Sequence, residues 1–127
     1  MSFNWIKYIH LAIELLNGNN ESYYRSAISR AYYGVFCIIR DREGFSYYRK
    51  SDVHSKVIEE YTKSNDEDER VIGSILDELR KARNLADYNS GKVISKVDAE
   101  RMVDSAKYIL DILGIQYDDF KNNGGKE

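Results

Sequence analysis

The sequence predicts an all-α protein, an antiparallel up-and-down bundle of four or five helices. Apolar residues recur at spacings of three and four through five separate stretches, the period of a helix with one buried face. Proline occurs nowhere in the chain, so nothing in it forbids long uninterrupted helices. Short connections join the stretches, and short connections make sequential helices antiparallel neighbours.

The first helix is predicted over Phe3–Leu16, where Trp5, Tyr8, Ile9, Ala12, Ile13 and Leu16 form one stripe. Asn17-Gly18 ends it, with the glycine expected in a left-handed cap. The second is predicted over Ser22–Arg42, capped by Asn20 or Ser22 and stopped by Gly44. Its stripe is Tyr24, Ala27, Ile28, Ala31, Val35, Ile38 and Ile39. Tyr33, Phe36 and Cys37 lie off that stripe, and they are expected to touch a second subunit. A loop over Phe45–Ser51 leads to a short third helix, capped by Asp52 and running to Lys63 or Ser64. The fourth is predicted over Asp66–Asp87 and opens on four acidic residues, which suit a helix N-terminus. The fifth is predicted over Lys96–Leu113, capped by Ser95 with Asp98 three residues on. One bundle over 1–116 with a flexible tail over 117–127 is the expected organisation.

With 127 residues, 43% hydrophobic and 31% charged, the chain can bury a core without a disulfide or a metal. A net charge of −2 speaks against a general nucleic-acid coat protein and leaves room for a local basic site. Cys37 is the only cysteine, so no internal disulfide forms, and a reducing, cytoplasmic setting is expected. Lys7, His10 and Glu14 interrupt the apolar positions near the N-terminus, so no signal peptide is expected. No apolar run reaches the length of a membrane span. The 11 tyrosines, several in pairs, serve either packing or base stacking, and composition favours packing.

Four features carry candidate chemistry. Arg83 follows Leu79 by four residues and Leu76 by seven, which puts a guanidinium inside the apolar stripe of the fourth helix. It is either paired with Asp87 to close the bundle's end or held in a cleft for a phosphate, and geometry alone favours the pair. Arg30 lies beside the second helix's stripe, on one line with Gly34 and Cys37, where a glycine signals close packing or a ligand. His54 shares a face with Val57, Ile58 and Tyr61 and looks inward, more often a structural role than a catalytic one. His10 is expected on the plain surface. The stretch from Arg40 to Ser51 mixes four basic residues with Phe45, Tyr47 and Tyr48, but Asp41 and Glu43 dilute it, and a solvated loop is the simpler reading. No Glu-x-x-His, no glycine-rich phosphate loop and no Cys/His metal spacing occurs, so neither metal nor cofactor is expected.

Three motifs together suggest a family. SAISRAYYGVFCIIRD, Ser26 to Asp41, resembles the HEPN domain, in its short prokaryotic branch with an Arg-Ala-Tyr-Tyr core. DVHSKVIEEY, Asp52 to Tyr61, resembles that branch's short helix with its histidine, and RKARNLADYNSG, Arg80 to Gly91, its closing Arg-x-x-Ala-Asp-Tyr motif. The resemblance spans Trp5 to Leu113. It implies a helical bundle, often a homodimer, and often encoded beside a minimal nucleotidyltransferase that acts as its antitoxin. It further implies metal-independent RNA cleavage by an arginine and a histidine four to six residues later. Arg83 matches that arginine, Asp87 and Tyr88 match the branch's own motif, and Arg30 matches its second-helix arginine. Positions 87 to 90 are Asp87, Tyr88, Asn89 and Ser90, so the histidine's work would fall to His54. Arg83, Arg30, His54 and Asp87 are therefore the candidate catalytic set, with Tyr88 and Tyr33 as candidate binders of RNA or a nucleotide. The alternative is a nucleotide- or partner-binding module without catalysis.

Overall fold

In the computed structural model, residues 2–44 and 50–117 are described. Five helices appear among them: α1 (Ile6–Leu15), α2 (Glu21–Arg42), α3 (Lys50–Thr62), α4 (Glu67–Tyr88) and α5 (Lys96–Leu113). No strand occurs among the described residues. Predicted boundaries agree to within three residues. Residues 45–49, which hold the three aromatic residues of the basic and aromatic stretch, lie outside the described residues, as do positions 118–127 of the expected tail.

The helix starts follow capping chemistry. Asn20 accepts hydrogen bonds from the Ser22 and Tyr23 amides, Asp66 accepts from the Asp68 amide, and Ser95 with Asp98 forms a reciprocal capping box. α3 begins at Lys50, so the predicted cap position, Asp52, falls inside the helix. Gly44 and Gly114 take positive φ after α2 and α5. Gly18 does not, and its role is space: a Cβ there would run into the Tyr23 ring.

α1 and α2 run antiparallel, as do α3 and α4, whereas α2 and α3 run in the same direction: His54 early in α3 meets Tyr32 and Phe36, and Tyr61 at its end meets Glu43 just past the end of α2. Trp5 of α1 reaches Asp41 near the end of α2, and Tyr8 lies against Arg30 and Gly34. Tyr61 and Thr62 at the end of α3 meet Gly73 early in α4, while Ser55 meets Arg80 late in it. Likewise Arg25 at the start of α2 reaches the end of α4. α2 packs on α1, α4 and α5, and the core gathers around it: Ile9, Ile28, Tyr32, Val35, Phe36, Ile39, Leu76, Leu79, Ile109 and Leu110 are all nearly inaccessible. The glycine of α2 has the packing explanation, since a Cβ on Gly34 would lie 2.6 Å from Ile9 Cδ1.

The second apolar side of α2 is covered by this protein's own helices. Phe36 is 2% exposed and Cys37 5%, so neither is free for a second subunit. Phe36 stacks on His54 of α3 at 4.1 Å, which fills the face that periodicity left unassigned. Tyr33 alone of the three remains half-exposed. His10 is half-buried rather than plain surface. Beyond α5 the chain stays packed: the Ile115 amide donates to the Leu110 carbonyl, and Ile115 and Tyr117 rest on the core. No helix among the described residues is long and apolar enough to cross a membrane.

Candidate functional site

Arg83 sits where its spacing put it, buried at 6% exposure on the face of α4 that carries Leu76, Leu79 and Ala86. Its Nη1 lies 4.0 Å from Asp87 Oδ2, at the outer limit of an ion pair, and its buried Nε has no hydrogen-bond partner. Aromatic rings surround it instead. The guanidinium carbon is 5.3 Å from the Tyr32 ring centre, 5.0 Å from Tyr33 and 6.0 Å from Tyr88. A buried cation with an unmet donor and only a distant anion has spare capacity for an incoming one.

Arg30 comes to the same place from α2. Its guanidinium carbon lies 5.6 Å from the Tyr33 ring centre and 4.5 Å from that of Tyr8 of α1. A polar chain links the two arginines: Arg30 Nη2 lies 3.4 Å from Ser29 Oγ, and that hydroxyl donates to Asp87 Oδ2 at 3.2 Å. Asp87 thus serves both helices, and it is no exclusive partner of Arg83. Tyr88, 76% exposed, forms the outer lip.

His54 borders the same two rings from α3. Its ring centre is 5.7 Å from Tyr32 and 5.9 Å from Tyr33, and its Nδ1 is 2.6 Å from the Tyr32 hydroxyl. Burial raises the Tyr32 pKa, so that hydroxyl keeps its proton. Two tautomers fit the contact. With the imidazole proton on Nδ1, His54 donates to the Tyr32 oxygen and Nε2 keeps a free lone pair, the form a general base needs. Burial first, then Arg80, Arg83 and Arg40, pushes the His54 pKa down to about 4. The imidazole is therefore neutral at physiological pH, and a titration expected near neutrality moves into the acid range.

That displacement has a measurable consequence. Unfolded, the imidazole titrates near 6.5; folded, near 4, so the unfolded state binds the extra proton between those values. Stability is expected to fall as pH drops from about 6.5 towards 4, and His54→Phe should flatten that slope. Thermal melts of both proteins across this range check it; parallel slopes would show that His54 titrates normally.

Sequence reasoning missed three members of this cluster. Tyr32 is its hub, buried between Arg83, His54, Tyr33 and Phe36. Ser29 bridges the helices, and Arg80 contributes charge toward His54 while touching Ser55. Arg80 was detectable: it lies one turn before Arg83 on the same side of α4. Nothing in the sequence marked Ser29. Among the described residues, no group of three or more His, Cys, Asp or Glu side chains is placed to hold a metal ion.

Comparison with protein families decides the lineage. The profile of the HEPN domain matches residues 6–116, nearly the whole helical body. The chain belongs to the HEPN family. No curated protein and no solved structure matches it. In this HEPN domain the matched span takes in Arg30, His54, Arg83, Asp87 and Tyr88 together.

Proposed function

We propose that this HEPN domain binds a phosphate group of RNA or of a nucleotide between α2 and α4. One observation carries the reading: Arg83 is buried with an unpartnered Nε and shares the Tyr33 ring with Arg30. Arginine's fork suits phosphate oxygens, and Tyr33 and Tyr88 offer faces on which a base stacks. Homodimerisation and pairing with a minimal nucleotidyltransferase antitoxin belong to the same reading, on the strength of family membership. Titration of the purified chain with a nucleoside monophosphate and with short RNA tests it. Saturable binding, competed by inorganic phosphate and weakened by salt, is expected; no binding of either ligand overturns the reading.

His54 favours a second reading, RNA cleavage without metal. A neutral Nε2 would take the proton of a 2′-hydroxyl as its oxygen attacks phosphorus. A 2′,3′-cyclic phosphate forms, the bond to the 5′-oxygen breaks, and the imidazolium returns its proton to that leaving oxygen. Arg83 and Arg30 would stabilise charge on the phosphoryl oxygens. A base with a pKa of about 4 is weak, so slow turnover is expected.

A further inference from the structure

From the phosphate site a strip of alternating rings and guanidinium groups leads away along the α1–α2 seam. It starts at Tyr33 and Arg30. Arg30 lies over Tyr8, whose ring centre is 5.2 Å from that of Trp5. Phe3 packs edge-on against both, 4.9 Å from Trp5 and 5.4 Å from Tyr8. Arg40 then lies 5.6 Å over Trp5. None of these aromatic residues is buried: Tyr33, Tyr8 and Trp5 are half-buried and Phe3 is 50% exposed.

The two cations differ in how they are compensated. Arg40 is paired with Asp41 at 2.9 Å, and Asp41 also accepts from the Trp5 indole N–H at 2.9 Å. Arg30 takes part in none of the ion pairs found among the described residues. Aliphatic side chains would suffice to hold α1 on α2. Half-open rings beside an uncompensated guanidinium are instead the surface on which a single strand stacks its bases and rests its backbone.

We infer that this strip, Tyr33–Arg30–Tyr8–Trp5–Arg40, is a track for single-stranded RNA that extends from the phosphate site along the α1–α2 seam. The inference rests on the phosphate-site reading and narrows its ligand from any nucleotide to a strand. Arg30 and Arg40 are ten residues apart on one helix, about 15 Å at 1.5 Å per residue. At roughly 3.4 Å per nucleotide that length takes about four stacked bases.

Fluorescence anisotropy of the intact chain with labelled oligouridylates of two and eight nucleotides tests the track. The octamer is expected to bind at least about tenfold more tightly than the dimer, because each stacked base adds to affinity. Tyr8→Leu keeps apolar bulk over Gly34 and removes the ring; it should abolish that gain, weakening the octamer far more than the dimer. Arg40→Gln, which keeps a polar side chain of similar reach at this half-buried position, should reduce the gain with the fold retained. Equal affinities for the two lengths overturn the track, as does equal weakening of both lengths in the two variants. If the octamer is sensitive to Tyr8→Leu but indifferent to Arg83→Ala, the track stands and the phosphate-site reading falls. No binding at either length overturns both.

Discussion

Arg83→Ala is expected to weaken nucleotide binding by about 100-fold or more while the bundle stays folded. Two charge-assisted hydrogen bonds to a phosphate at roughly 1.5–3 kcal/mol each account for that factor. The fold should tolerate the change because Arg83 contributes little pairing energy. Its nearest carboxylate oxygen is 4.0 Å away, its Nε has no partner, and the Asp87 side chain keeps contact with water. Removing a poorly paired buried charge relieves a desolvation cost that offsets the packing lost with the aliphatic stem. Isothermal titration beside a thermal melt separates the outcomes. A protein that melts tens of degrees lower would mark Arg83 as a structural residue. Arg83→Lys, which keeps charge and loses the fork, should bind with intermediate affinity.

Cleavage of single-stranded RNA that persists in EDTA and drops by roughly 10²–10⁴-fold in His54→Ala is the second expected result. Arginines remain protonated and cannot take the 2′-hydroxyl proton. Tyr32, whose pKa is raised by burial, is no better suited. The imidazole is left as the group that can move a proton, and with a pKa of about 4 it is in its basic form throughout the physiological range. The rate should accordingly fall off only as pH drops toward about 4, with no loss of His54 basicity near 6.5. Equal rates in wild type and His54→Ala would remove the histidine from the chemistry. Absence of cleavage in both would leave a binding domain.

Much of this arrangement was legible because helices carry their geometry in their spacing. The position of Arg83 inside a stripe of leucines and alanines required only about 100° per residue. Ser95 announced its helix start by residue type, and Asn20 was one of two candidate caps for the second helix. Periodicity of a single helix is silent, however, about which neighbour covers its second face. Phe36 and Cys37 were read as facing outward, and α3 brings His54 onto that side. Tyr32 went unnoticed for the same reason: its role comes from three other helical turns that converge on it. Gly18 misled because glycine answers two needs, a positive φ and a missing side chain, and only the second applies there.

The antiparallel pairing of α1 with α2 and of α3 with α4 makes each pair a hairpin of local contacts. Such pieces form early and quickly, since little chain must be closed to bring their residues together. Arg30 and Tyr33 belong to the first hairpin; His54, Arg83 and Asp87 belong to the second. Neither hairpin alone contains the cluster, so it comes into being only at the step that docks them. A ligand held between the two sides would act as a clasp on that step, slowing their separation and raising the apparent stability of the whole chain in proportion to its concentration.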